Sequence, residues 1–502
     1  MGKKKKKDII RLERESVIPI VKKKLINTIA DLIESKSEHA EFLKFCQRVE
    51  YTIRAWYLIQ FDDLMQLFSL FEPVHGAERL EQQDLSPEEI DVLEQDFLKS
   101  LLKIINKSNF KITTDEEIDV ASSGQYRLNL PIVVNESMLD KRLFSRFFAE
   151  NPHDNLPHFA DKFIIFRRGF GIDKMTAFFF KPKLETIIVR LWRSFLKLSG
   201  LKFLIRLFFS SKVEPYKKDS GGPTELRIES MKDGLYIERI RIEKLKLSIS
   251  NLLRRITIQE PTFERIIVVY RRRADADRHE TERNIYLKHF KNIPMADLEI
   301  VLPEKQNPGL TPMDWVKFLV SAAIGLSTVV GSLSMPKPDI KIIFGILSAV
   351  GAYCLKTYFS FQSNLVAYQS LITRCVYDKQ LDSGRGTLLH LCDEVIQQEV
   401  KEVIVSFYIL MDQGKALSKD YLDLRCEELI KENFGASCNF DVDDAVSKLE
   451  KLGVLSQDNE GRYTCVNLRR ANEIIGTTTE EVVLQAKGDG DPYADMGRQM
   501  NV

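Results

Sequence analysis

The stretch FLVSAAIGLSTVVGSLSM, residues 318–335, carries no charged side chain, and after Pro336-Lys337-Pro338-Asp339 a second uncharged run extends from Ile342 to Leu355. As helices the two runs would span roughly 27 Å and about 21 Å, against a hydrocarbon layer of about 30 Å. The expectation is a two-helix transmembrane hairpin over residues 313–361, its rods bounded by Phe318 and Met335 and by Ile342 and Leu355. Lys341 and Lys356 extend the shorter rod by laying their alkyl stems in the apolar layer with the ammonium groups in the headgroups. Ser321, Gly325 and Thr328 share one side of the first rod. Gly345, Ala349 and Ala352 share one side of the second, so two backbones could approach closely in lipid. A buried helical pair inside a large core is the alternative.

A hairpin returns the chain to the side it left. The parts before Thr311 and after Phe361 are therefore expected in one compartment, and the lysine-rich start, Lys3 to Lys7, has no apolar signal-peptide core. That combination places both parts on the cytosolic side, or on the matrix or stromal side of an organelle.

The 502 residues, 44% hydrophobic and 29% charged, can bury more than one core, about two to four domains. A net charge of +1 argues against a globally basic nucleic-acid binder. The sum hides an uneven distribution, because between Lys162 and Lys218 fourteen basic residues face only Asp173, Glu185 and Glu214. Seven cysteines without a C-x-x-C pair fit a reducing compartment and buried apolar roles.

The fold class expected is an α+β membrane protein. Residues 1–8 form a basic arm and 9–150 a mainly helical region. There Ser86-Pro87-Glu88-Glu89 spells a capped helix start, and Trp56 and Tyr57 with Phe61, Leu64, Phe68 and Phe71 line a core seam. Residues 151–302 read as an α+β domain with a mixed or antiparallel sheet. Its strands are expected at Phe163 to Arg167 and Met175 to Phe180, a hairpin around Gly169-Phe170-Gly171, and at Tyr236 to Ile242, Arg255 to Gln259, Arg265 to Tyr270 and Asp297 to Leu302. Within its basic segment 162–218, the helix Leu184 to Ser199 sets Arg190, Arg193 and Lys197 on one face, and Lys202 and Arg206 follow. Such a helix fits an anionic headgroup layer or packs on the sheet with its arginines in water. Residues 303–312 are a connector.

Residues 362–475 read as a helical, winged-helix-like domain, with helices over Thr387 to Gln413, from Ser418 to about Phe434 and from Asp441, then a hairpin around Asp458-Asn459-Glu460-Gly461. In DNA readers of this pattern the third helix enters the major groove and is electropositive. Here Asp441, Asp443, Asp444 and Glu450 outnumber Lys448 and Lys451, so a protein contact or plain packing fits better than nucleic acid. Residues 476–502 are expected to be a disordered tail.

No zinc-protease, nucleophile-elbow or phosphate-loop spacing occurs. No catalytic residue, metal ligand or cofactor is therefore assigned. His153, Asp154, His158 and Asp161 crowd one loop, and on a helix His390 points away from Cys392. Arg271, Arg272 and Arg273 follow a strand, and with Arg167 and Arg168 they could clamp a phosphate or carboxylate. Pairing within the chain, with Asp275, Asp277 and Glu280 next in sequence, is the competing reading.

At RLERESVIPI from Arg11, FRRG from Phe166, YRRR from Tyr270, FKNIPMADLE from Phe290 and PGLTPMDWVKF from Pro308, the chain resembles an uncharacterised eukaryotic membrane-protein family, the plant-type members of the transmembrane protein 143-like group, defined by a domain of unknown function. The resemblance implies an integral membrane protein with a mitochondrial address and carries over no reaction. The function expected is a non-enzymatic, membrane-anchored scaffold or adaptor that touches the bilayer's anionic lipid through the basic segment and a partner protein through the C-terminal domain, with homo-oligomers allowed. The rival is an enzyme using the His153 to Asp161 loop or the arginines.

Overall fold

The computed structural model describes residues 9–11, 15–115, 117–118, 134–153, 156–177, 187–188, 191, 236–238, 255–273, 283–305, 323, 327, 330–331 and 340–486. In chain order the elements are β1 (Ile9–Arg11), α1 (Lys22–Asp31), α2 (Lys36–Phe71), α3 (Gly76–Gln82), α4 (Pro87–Lys107), β2 (Lys111–Ile112), α5 (Arg142–Glu150), β3 (Phe163–Ala177), β4 (Tyr236–Glu238), β5 (Ile256–Arg271) and β6 (Ile285–Pro294). Then follow α6 (Ile340–Lys379), β7 (Gln380–Ser383), α7 (Arg385–Gln413), α8 (Lys419–Phe434), α9 (Val442–Lys451), β8 (Leu455–Gln457), β9 (Tyr463–Cys465), α10 (Leu468–Ile475) and α11 (Thr479–Ala486). The chain divides into two units, a sheet unit of residues 1–13, 112–275 and 288–381 and a helical unit of residues 14–111, 276–287 and 382–502.

The sheet unit rests on a five-stranded antiparallel sheet in the order β2-β3-β5-β6-β7. Its spine is the pair β3 and β5, in register from Phe163 opposite Tyr270 to Ala177 opposite Ile256. In β5 the run Ile266 to Tyr270 is buried without alternation, as in a strand covered on both faces. The hairpin expected around Gly169-Phe170-Gly171 is replaced by one continuous strand. Gly169 does adopt a positive φ of 73°, but inside the strand. A Cβ there would lie 2.5 Å from Glu264 Oε2 and one at Gly171 2.8 Å from Thr262 Oγ1, so the glycines let cross-strand side chains lie over the backbone. The strand expected over Asp297 to Leu302 is instead a 3-10 helix, Met295–Val301. Ile9–Arg11, read as helical, pairs as a strand with Tyr236–Glu238.

Among the described residues no helix is long and apolar enough to cross a membrane. That overturns the transmembrane hairpin over 313–361 and with it the membrane class of the fold. The run Ile342 to Leu355 belongs to α6, a 40-residue helix that goes on through Lys356, Arg374, Asp378 and Lys379. The far end of this helix packs Ile372, Cys375 and Val376 against Ile300. Gly345 and Leu355 are exposed, and a Cβ built at Gly345 would meet nothing within 4 Å, so no described residue packs against Gly345. Phe318, Gly325, Thr328 and Met335 lie outside the described residues, as do the arm 1–8 and the basic residues Arg190, Arg193, Lys197, Lys202 and Arg206.

In the helical unit α7 is buried almost all round from Val395 to Leu410, as expected of a helix with no polar face. Phe407 stacks on Phe45 of α2 with ring centroids 4.1 Å apart, and Tyr408 meets Phe42 edge on. α4 opens with the capping box of Ser86 and Glu89 behind Pro87. α7 ends at Gly414 and α8 at Gly435, both with left-handed backbone that glycine takes without a Cβ penalty. The short hairpin β8-β9 follows α9, and Tyr463 bridges back to Leu417. The tail expected over 476–502 is helical at Thr479–Ala486, where Glu481 is buried; residues 487–502 lie outside the described residues.

Candidate functional site

A helix as apolar as α7 has to satisfy any polar group it carries, and one of its turns carries Gln398, Glu399, Lys401 and Glu402, all buried. Two of these are met by the segment ahead of α1. Ile18 N donates to Gln398 Oε1 at 3.0 Å, and Lys401 Nζ donates to the carbonyls of Ile18 and Ile20 at 2.6 and 3.3 Å.

Glu399 is the hub of the remainder. Its Oε1 accepts from Tyr57 Oη of α2 and, at 3.5 Å, from Lys107 Nζ, which also donates to Tyr57 Oη at 2.5 Å. On the other side Lys448 Nζ of α9 lies 3.2 Å from Glu399 Oε2 and pairs with Asp444. Burial pushes the Glu399 carboxyl above its ordinary range, opposed by the charge of Lys448. The Tyr57 hydroxyl is raised by burial and by the Glu399 charge. Glu402, one turn along, accepts from Gln398 Nε2 at 2.7 Å and is raised more strongly, again first by burial.

Of these groups Lys107, Gln398, Glu399 and Glu402 line a cleft of about 470 Å³ together with the acidic start of α9. Asp441 caps that helix by accepting from Asp444 N at 3.2 Å, and the exposed Asp443 pairs with Lys419. Lining the cleft are the carboxylates Glu399, Glu402, Asp441, Asp443 and Asp444, with Lys107 the lysine in its wall. Such a site suits a cationic group far better than a phosphate.

The raised Glu402 has a checkable consequence. Between its ordinary 4.5 and its raised value the folded state keeps a proton that the unfolded state has released, so its contribution to stability falls as pH rises through that window. Glu402→Gln keeps an acceptor for Gln398 and cannot ionise. The variant is expected to be about 1–3 kcal/mol more stable than the parent at pH 8, with the gap closing near pH 4, in urea unfolding at the two pH values.

The residues singled out from sequence fall elsewhere. His158 pairs with Asp115 while His153 is exposed; Asp154 lies outside the described residues. His390 sits between Asp382 at 3.9 Å and Glu394 at 3.2 Å. In the sheet unit Arg167 pairs with Glu117 at 2.5 Å and lies over the Phe170 ring, Arg271 is 3.6 Å from Asp140, and Arg272 Nε donates to Glu304 at 2.5 Å. Among the described residues these partners of Arg271 and Arg272 come from distant segments; Asp275, Asp277 and Glu280 lie outside the described residues. Arg168 is half-buried and Arg273 exposed. Among the described residues no group of three His, Cys, Asp or Glu side chains is placed to hold a metal ion. Burial pushes the thiols of Cys392 and Cys438 up to about 12, which suits packing rather than attack on a substrate.

Fold and cleft together define a mixed α+β protein with a charged recess in its helical unit. Residues 263–386 match the family described as "Protein of unknown function (DUF3754)", so the chain contains a domain of that uncharacterised kind. YRRR, FKNIPMADLE and PGLTPMDWVKF fall inside the matched residues. No curated protein and no solved structure gives a match.

Proposed function

We propose that the chain is a non-enzymatic adaptor whose helical unit receives a basic side chain of a partner protein in the cleft between α7 and α9. The observation that carries this reading is the set of carboxyl groups lining the cleft, Asp441, Asp443 and Asp444 at the start of one helix with the buried Glu399 and Glu402. A guanidinium or ammonium group entering there would donate charge-assisted hydrogen bonds to the aspartates and favour the ionised form of the two buried glutamates. The succession α7, α8, α9 and the β8-β9 hairpin supports a winged-helix-like element used for protein contact. Its third helix carries acid at the end that would have to approach DNA.

The test is fluorescence anisotropy with a labelled hexa-arginine peptide and, in parallel, a labelled DNA duplex. The peptide is expected to bind in a salt-sensitive manner, at least about tenfold more weakly when Asp443→Lys and Asp444→Lys are combined. Ser447→Trp, which fills the cleft without altering charge, is expected to weaken it as well. Peptide binding untouched by both variants, or tighter binding of the duplex, would overturn the proposal. The narrower kinship with plant-type members of the transmembrane protein 143-like group is part of the same proposal. It is supported by the three quoted motifs inside the matched domain.

A further inference from the structure

We propose that a second pocket, in the sheet unit and bounded by Arg272, Lys288 and Lys305, binds the phosphate group of a small molecule. The inference is independent of the cleft in the helical unit.

The pocket holds about 210 Å³, roughly seven times the volume a water takes in the liquid, which is room for a phosphate and part of the body that carries it. Three cations line it against a single carboxylate, Glu304, and that carboxylate is already engaged by Arg272 Nε at 2.5 Å. Lys288 and Lys305 are both half-buried. Among the described residues neither is within ion-pair distance of a carboxylate, and Lys288 Nζ lies over the Tyr270 ring, 5.5 Å from its centroid. Two ammonium groups drawn partly out of water beside an arginine are an unbalanced charge that a dianion would neutralise, and lysines serve a phosphate as point charges. The state of the lysines agrees. Burial, with the charge of Lys288 second, lowers Lys305 to about 8, and burial, with the charge of Arg272 second, lowers Lys288.

The backbone fixes these groups in place. Lys288 stands on β6, and Arg272 follows β5 directly. Lys305 is held by the bridge between its own backbone and Val134, while the Glu304 carbonyl accepts from Asn135 N at 2.8 Å. Glu304 takes a φ of +44°, a left-handed conformation uncommon for this residue type, which persists because both of its neighbours in space hold it. Phe290, Ile300 and Val376 add apolar lining to the pocket, so the body attached to the phosphate is expected to be apolar, as in an aryl or short alkyl phosphate monoester.

The experiment is calorimetric titration of the full chain with phenyl phosphate at pH 8, repeated in two buffers of different ionisation enthalpy. Near pH 8 Lys305 is about half protonated, so an arriving dianion is expected to draw up to about half a proton from the buffer on binding. Lys305→Met removes a poorly solvated charge at similar volume and is expected to abolish that uptake and weaken binding at least tenfold. Lys288→Gln is expected to weaken it similarly. Inorganic phosphate should bind more weakly than phenyl phosphate, since it leaves the apolar lining bare. No binding of phenyl phosphate, binding by both lysine variants as tight as that of the parent, or binding to phosphatidate vesicles alone would overturn the proposal.

Discussion

Replacing Arg48 by methionine is expected to cost the helical unit about 3–5 kcal/mol, the range for removing one partner of a buried ion pair. Arg48 of α2 is buried; its Nε and Nη2 reach the two oxygens of Glu481 in α11 at 2.8 and 3.0 Å, and its Nη1 reaches the carbonyl of Asn472 in α10 at 2.5 Å. The methionine fills much of the volume but leaves the Glu481 carboxylate out of water and without this two-point partner. Most of the loss is therefore the cost of the stranded charge. Adding Glu481→Leu to Arg48→Met should recover the larger part, because two apolar side chains of similar size need no desolvation. Urea unfolding of both single variants and of the double variant forms a closed cycle. A double variant as unstable as the sum of the singles would show that Arg48 and Glu481 act separately.

Glu399→Leu is the second large effect. Its carboxylate answers Tyr57, Lys107 and Lys448 at once, and Lys448 is itself buried. Without it Lys448 keeps only Asp444, and Tyr57 keeps only Lys107. A loss of about 3 kcal/mol is expected at pH 7. Because burial raises the Glu399 carboxyl, the parent's own contribution from this group falls as pH climbs above the ordinary 4.5. The penalty of the variant should therefore be larger at pH 5 than at pH 8. Equal penalties at both pH values would mean that Glu399 stays ionised throughout and that Lys448 governs its state.

Much of the helical unit is legible in the sequence because its signals are local. Ser86 to Glu89 spells a capping box, Gly414 a left-handed stop and Ser418 a cap whose side chain accepts from Tyr421 N, and each appears where those residues stand. Of the expected seam, Tyr57, Phe61, Leu64, Phe68 and Phe71 repeat at helical spacing and are buried, whereas Trp56 is half-buried. The packing of α2 on α7 had no such signal, since contacts more than three hundred residues apart leave no mark on local periodicity. The glycines of β3 misled for a related reason. A glycine that makes room for Glu264 reads the same as one that turns the chain. The apolar run Ile342 to Leu355 misled through its composition, because the charged residues that follow along α6 belong to the same helix.

The candidate site left one trace that sequence reasoning passed over. Gln397-Gln398-Glu399-Val400-Lys401-Glu402 interrupts a run that is otherwise mostly apolar from Val395 to Leu410, and charges in such a place have to be answered from elsewhere in the fold. The answering groups, Tyr57, Lys107 and Lys448, could not be matched to it without the fold. Likewise Arg272 stood out as part of an arginine run, whereas Lys288 and Lys305 are ordinary until β6 and the turn after the 3-10 helix bring them together.

Hydrogen exchange of the full chain with and without the hexa-arginine peptide tests the central claim most directly. The adaptor reading predicts slowed exchange confined to the peptides covering residues 398–402 and 441–447, lost in the combined Asp443→Lys and Asp444→Lys variant. Protection appearing only in the sheet unit, or unchanged by that variant, would contradict it.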